Sequence, residues 1–321
     1  MFHKEGYHLG DTWYQIADDR AHLYFLTCPD SVERHTCWSI GHASSADLIN
    51  WQDHGLLFDS KPDDPEWSCL STGSVCRFGD RWVMAFLRNH NQPDPRTAYA
   101  ESDDLFHWTL LPDAGTGIDD VVYTRRGSKP FKNPRWRDPF LFEEDGWLYQ
   151  WITAAVEALP DNADGVVGVM RTRDLKTWEI LPPLQTPPLG TDLECPKGYR
   201  IDGQYHLLVS LFDVLQAPDF AAKQPPRLNP NTTFSLVSDT LAGPYRYGGD
   251  GRVLPFDAPG IPYACEAICF NGQWYLLGTC WHRHKPDHIC DPIPLKVTET
   301  GLRAAVEEVR FSGSEQAPAK P

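Results

Sequence analysis

The chain has no run of about 18 apolar residues, the length a helix needs to cross a bilayer. Its opening stretch, MFHKEGYHLGDTWYQ, has none of the apolar core of a secretion signal. A soluble, cytoplasmic protein is expected. No Cys-x-x-Cys pair occurs among the nine cysteines, so the usual thiolate zinc frameworks find no support. Cys28 and Cys37 would pair only in an oxidising compartment, and free thiols are the simpler reading. Basic residues are scarce: 29 Lys and Arg against 44 Asp and Glu leave a formal net charge of -15. Phosphate-rich partners need Lys and Arg, so neither nucleic acid nor an anionic membrane surface is expected as a partner. Helical periodicity is almost missing; TAAVEALP and DFAAK offer single turns.

Aromatic side chains are plentiful, with 12 Trp, 12 Tyr and 15 Phe, and 41% of the residues are hydrophobic. Aromatic faces suit sugar rings, but they also fill β-sheet cores, and core is the default for most of them. One pattern recurs as SADLINW (45–51), SDDLFHW (102–108) and TRDLKTW (172–178), with a looser SDTLAGPY at 238–245. A second pattern, strand, Gly/Asp/Asn turn, aromatic strand, occurs five times. Its copies are DTWYQIADDRAHLYFLT, TGSVCRFGDRWVMAFLR, RDPFLFEEDGWLYQWIT, ECPKGYRIDGQYHLLVS and CEAICFNGQWYLLGTCW. Alternation and turn chemistry make these hairpins. Five units use up the chain at about 64 residues each, and radial repetition of small sheets is a β-propeller. The expected fold is all-β: a single five-bladed propeller over residues 1–311, followed by a disordered tail at 312–321. A β-sandwich is the alternative, but it does not call for five copies of one hairpin.

The first strand of each hairpin is expected to line the central channel. Near the starts of these strands stand Asp11, Thr72, Asp138, Glu194 and Glu266. A single carboxylate there is explained by a turn or an arginine partner. Four at equivalent places of a repeat point to a site. Trp13, Trp38, Trp67 and Trp136 are candidates for a stacking wall, and His42 for a structural partner beneath the rim. His282, His284 and His288 cluster with Cys290, but irregular spacing favours a solvated or substrate-facing loop over a metal site.

Several segments resemble glycoside hydrolase family 32, the invertase and fructanase family, and more loosely the furanosidases of family 43. RWRDPFLF is similar to that family's Arg-Asp-Pro motif and DLECPKGYRI to its Glu-Cys-Pro motif. IGHASSADLINW and STGSV resemble two further segments, in the same order, over roughly residues 8–215. The resemblance implies Asp11 as nucleophile, Glu194 as acid/base and Asp138 as transition-state stabiliser. Arg137 would bind sugar hydroxyls, and Cys195 would bias the Glu194 pKa or simply fill space. Trp13, Trp38, Thr72, Trp136, Arg137, Cys195 and Glu266 are thus the expected substrate-contacting set, and no metal or cofactor is expected. The implied function is a retaining glycoside hydrolase that removes a terminal β-fructofuranoside-like unit from a small saccharide. The alternatives are an inverting arabinofuranosidase or xylosidase, a transglycosylase and a non-catalytic sugar-binding propeller. Asp11 stands without the rest of the family's Asn-Asp-Pro-Asn-Gly motif, Leu26 replaces a Gln, and Ile40 replaces a Trp. These positions hold the sugar, so the chemistry carries over further than the specificity. No counterpart of the family's C-terminal β-sandwich is expected.

Overall fold

The structure is a computed structural model that describes residues 1–88, 93–111, 115–127, 134–225, 231–254, 261–281 and 286–305. Its strands form where the sequence alternates, and each innermost hairpin closes on a two-residue turn. The turn residues are Asp18-Asp19, Gly79-Asp80, Asp145-Gly146, Asp202-Gly203 and Asn271-Gly272, and nearly all have positive φ. Such turns match the right-handed twist of the flanking strands, and Gly, Asn and Asp adopt them at least cost.

Five sheets result. The first blade is β1 (Tyr7–Ala17), β2 (Arg20–Pro29), β3 (Ser39–Ser45) and β4 (Trp51–Phe58). The second is β5 (Ser71–Phe78), β6 (Arg81–Arg88), β7 (Arg96–Ser102) and β8 (Thr109–Leu110). The third is β9 (Arg137–Glu144), β10 (Trp147–Ala155), β11 (Gly165–Thr172) and β12 (Trp178–Leu181). The fourth has three strands: β13 (Glu194–Ile201), β14 (Gln204–Phe212) and β15 (Asn231–Ser238). The fifth holds β16 (Tyr263–Phe270), β17 (Gln273–Cys280), β18 (His288–Ile289), β19 (Ile293–Thr298) and β20 (Gly301–Ala304). Within each blade the strands are antiparallel and in chain order outward from the centre. The five innermost strands touch in a ring: β1 meets β5, β5 meets β9, β9 meets β13, β13 meets β16, and β16 meets β1. The fold is therefore the expected five-bladed propeller. Phe2 clasps the ring, exchanging both backbone hydrogen bonds with Ile289 of the last blade.

The Asp-Leu-x-x-Trp repeat turns out to be the corner between third and fourth strands. In the first copy Asp47 Oδ1 accepts from the backbone N–H groups of Ile49 (2.9 Å) and Asn50 (2.7 Å). Leu48 takes a positive φ of 64°, and the Trp51 indole donates to the Leu48 carbonyl at 3.1 Å. Asp104, Leu105 and Trp108 repeat this arrangement. The repeat is thus a turn device and not a site. The core lies between blades. Trp13, Tyr24 and Trp38 of the first blade pack with Met84 and Phe86 of the second, and Trp151 and Val169 of the third pack with Leu207 and Leu236 of the fourth. Residues 306–321, which include the expected tail, lie outside the described residues, as do His282 and His284. All nine cysteines are free thiols, Cys28 and Cys37 among them. Among the described residues, no helix is long and apolar enough to cross a membrane.

Candidate active site

Every innermost strand breaks its ladder at the same place. The register shifts between Leu9 and Thr12, between Ser71 and Gly73, between Glu194 and Lys197, and between Tyr263 and Glu266, and β9 shifts between Arg137 and Phe140. A bulge re-aims the side chains beside it. At Asp138, Cys195 and Ala264 it also forces φ to 60°, 48° and 50°, a region that non-glycine residues enter at a cost of about 1–3 kcal/mol. The bulges turn a ring of backbone into a ring of functional groups at one end of the channel.

Asp138 sits at the centre of this ring. Its Oδ2 accepts from the Cys195 backbone N–H at 3.1 Å and lies 3.0 Å from the Thr153 hydroxyl. Asp11 Oδ2 accepts from the Thr72 hydroxyl and, at 3.6 Å, from the Cys195 thiol. Ligand-type atoms of Asp11, Asp138 and Cys195 all fall within 4.8 Å of one another. Burial drives the thiol pKa well up, so the sulfur acts here as a hydrogen-bond donor. One residue, Cys195, thus touches both aspartates, through its backbone and its side chain.

Glu194 stands beside them. Its Oε1 accepts from Arg137 Nη2 at 2.9 Å and its Oε2 from the Tyr263 hydroxyl. Arg137 Nη2 also donates to Asp192 Oδ1 at 2.6 Å, and its Nε lies 3.7 Å from Asp138. One layer below, Lys197 Nζ pairs with Glu266 at 3.1 Å. Burial, and then the Asp138 charge, push the Asp11 pKa up to about 6; the Thr72 hydroxyl, Lys197 and Cys195 oppose the rise. Burial also pushes Glu194 up, to about 7, against the pull of Arg137. Both carboxyls are thus held above the usual carboxylate range, where a buried carboxyl can give and take a proton closer to neutral pH.

A family model, the N-terminal domain of glycosyl hydrolases family 32, matches residues 14–228. The chain belongs to glycosyl hydrolase family 32. It is similar to invertase 2 of Saccharomyces cerevisiae, 24% identical over 194 residues, which is 57% of this chain and 34% of that protein. It is also similar to the levansucrase of Rahnella aquatilis, 27% identical over 178 residues, 47% of this chain and 41% of that one. The chain therefore spans about a third to two fifths of the length of these curated relatives. Among solved structures, inulosucrase from Halalkalicoccus jeotgali bound to kestose superposes with a TM-score of 0.75 at 20% identity, over 94% of this chain and 87% of that one. Bacillus subtilis levansucrase superposes at 0.72 with 13% identity and the same coverages. At such identities the two structures bear on the fold.

Within this family-32 propeller, Asp11, Thr72, Arg137, Asp138, Glu194 and Cys195 come together at the bulged end of the channel. The tryptophans do not join them. Trp13 and Trp136 are 0% exposed and Trp38 is 2% exposed, each sealed in a core cluster, so none has a face to offer a sugar. Trp13 stacks on Tyr24, Trp136 packs on Tyr123, and the Trp38 indole donates to His35. Trp67 is half-buried, with the Arg88 guanidinium 5.5 Å above its ring. His42 lies in a ring stack with Tyr24, His22 and His54, away from the bulges, and burial lowers its pKa to about 3. Glu266 is corrected from the rim to the layer beneath it. Its ladder position, opposite Leu277 just past the bulge, matches Lys197 opposite Leu208.

The rim residue of the fifth blade is Tyr263. Sequence reasoning missed it, together with Asp192, Lys197 and Trp281, which packs on Tyr263 and donates to the Leu9 carbonyl. A signal was there. β5, β9, β13 and β16 each run eight residues from rim to turn, so counting back from Asn271-Gly272 lands on Tyr263 and not on Glu266.

Proposed function

We propose that the protein is a retaining glycoside hydrolase that cleaves a terminal furanoside, of the β-fructofuranoside type, from a small saccharide. The observation that carries this reading is the meeting of three carboxyls at one bulge, where Cys195 bonds Asp138 through its backbone N–H and Asp11 through its thiol, and Glu194 directly precedes it. Asp11 attacks the anomeric carbon while Glu194 gives its proton to the glycosidic oxygen, and the leaving alcohol departs. The sugar is then held as an ester of Asp11. Water, deprotonated by Glu194, attacks the same carbon and releases both the sugar and the Asp11 carboxylate. Asp138 accepts hydrogen bonds from ring hydroxyls as oxocarbenium charge grows, and Arg137 keeps both Asp138 and Glu194 in register.

The curated relatives include invertases, sucrose-6-phosphate hydrolases and a levansucrase, which supports a fructosyl substrate. Retention requires the Asp11 and Glu194 carboxyls about 5–5.5 Å apart, whereas inversion needs roughly 6.5–9.5 Å to admit water between them. The test is a screen of the purified protein against sucrose, fructo-oligosaccharides and nitrophenyl furanosides, with the first-formed anomer read by NMR. Retained product together with a trappable Asp11 ester in Glu194→Gln supports the reading. Inverted product moves the chain to an arabinofuranosidase- or xylosidase-like mechanism. A new glycosidic bond in the product marks a transglycosylase, and binding without turnover marks a sugar-binding module.

A further inference from the structure

Directly beneath the bulges, one residue of each innermost strand takes the same ladder position: Thr12, Gly73, Phe140, Lys197 and Glu266. Three of these are small or apolar. The other two form an ion pair whose side chains are only 2% and 7% exposed. The Lys197 ammonium also rests over the Phe140 ring, 5.5 Å from its centroid. A buried ion pair is a doubtful stabiliser, because desolvating both charges offsets their attraction, and apolar replacements of similar size often do as well or better. Its place decides what else it does. Lys197 lies two residues beyond Cys195 on β13, and Cys195 is the residue that touches Asp11.

We propose that the Lys197–Glu266 pair is a positioning device for the reaction, in which the Lys197 ammonium holds Asp11 as a carboxylate and Glu266 holds the ammonium in place. This rests on the reading of Asp11 as nucleophile. Asp11 faces the Asp138 carboxylate from β9, the Thr72 hydroxyl from β5, and Cys195 and Lys197 from β13, on which Glu194 directly precedes Cys195. From β16 come Tyr263, hydrogen-bonded to Glu194, and Glu266, while Arg137 is shared between Glu194 and Asp192. Of these two cations, Arg137 pairs with Asp192 and Glu194 and lies 3.7 Å from Asp138, and Lys197 is the one that acts on Asp11. Lys197 itself stays protonated: burial, the largest effect, would strip its proton, but Glu266, with Cys195 and Asp11, together outweighs it.

The device is tested on the full chain with Lys197→Met, which keeps length and loses charge, and with Glu266→Gln. The acidic limb of kcat/KM reports ionisation of the nucleophile in the free enzyme. In Lys197→Met that limb should move up by about one pH unit or more, the range an opposite charge at a buried carboxylate commands. In Glu266→Gln, which takes away the anchor that keeps Lys197 charged and in place, it should move the same way, by no more than in Lys197→Met. An unmoved limb in Lys197→Met, or a limb in Glu266→Gln that stays in place or moves down, overturns the inference while leaving the hydrolase reading intact. The carboxyl infrared band that disappears in Asp11→Asn gives a second measurement that needs no substrate. Its titration in Glu266→Gln and Lys197→Met should follow the same signs, and a midpoint insensitive to Lys197→Met overturns the inference even if no furanoside is turned over. Absence of turnover by the wild type on every furanoside would instead strike at the proposed function. If Lys197→Met does not fold, Lys197→Arg takes its place: it should keep the wild-type limb, and an upward shift there overturns the device.

Discussion

Two sets of acidic residues occupy this propeller, and they are kept in opposite states. At the outer corners, Asp47 and Asp174 are fully solvated, and backbone N–H groups of Asn50 and of Thr177 hold their carboxyls below the usual range. At the inner rim, burial holds Asp11 and Glu194 above it, at about 6 and about 7. The outer aspartates recur in the first three blades, each accepting from the backbone N–H groups two and three residues on. The inner ring changes at every blade: Asp11, Thr72, Asp138, Cys195 and Ala264 occupy its bulges. In a repeat fold, what is copied faithfully carries the architecture, and what differs at a fixed position of the copy carries the chemistry.

The sharpest break of that comparison is substitution at the rim. Glu194→Gln should cost about 10²–10⁴-fold in turnover, as loss of a general acid does, and Asp11→Asn at least as much. Both should fold normally and melt no lower than wild type at pH 8, because each removes a buried charge that folding had to desolvate. Thermal melts beside progress curves check both halves. The next effect is on pH. Rate should rise as Asp11 ionises near about 6 and fall as Glu194 loses its proton near about 7, giving a narrow bell in kcat/KM. The sign for stability is the reverse of the usual acid case. Folded-state values lie above the unfolded carboxylate values, so these two groups favour the native state at low pH, and their contribution declines as pH rises from about 4 toward 7. Trp13→Ala tests the opposite side of the comparison: a core change worth about 3–5 kcal/mol in denaturant unfolding, with the pH profile of the surviving native enzyme unmoved. The smallest effect belongs to the outer corners. Asp104→Ala should lower Tm by a few degrees at neutral pH and leave activity alone. The deficit should shrink as pH falls below the ordinary carboxylate value, where Asp104 of the unfolded chain takes up a proton while native Asp104, held low by its hydrogen bonds, still stays charged.

The fold was legible because its signals are local. A two-residue turn with Asp or Asn before Gly, flanked by alternating apolar residues, fixes a hairpin without help from the rest of the chain. The fourth blade shows the limit: SDTLAGPY resembles the other corners, yet only single bridges, such as Val237 to Arg246, follow β15. Of the site, the part written in adjacent residues was readable: Arg137 with Asp138, and Glu194 with Cys195. Contacts that join different blades, such as Tyr263 to Glu194, leave no local pattern. The tryptophans misled for a related reason. Trp13 lies only two residues past Asp11, and the bulge between them turns its ring sideways into the seam with the second blade, where Gly73 leaves room for it.

The clasp between Phe2 and the last blade has a bearing on how the molecule comes into being. Asp11 belongs to the first strand of the first blade, and Tyr263, against Glu194, to the opening strand of the fifth. A nascent chain stopped after four blades has its first innermost strand with no fifth neighbour, and the carboxyls gathered around the channel then stand open to water instead of desolvated. Their raised proton affinities cannot exist in that state, because burial is the first cause of both. The environment that raises them is thus completed when the first and last blades meet and the circle shuts.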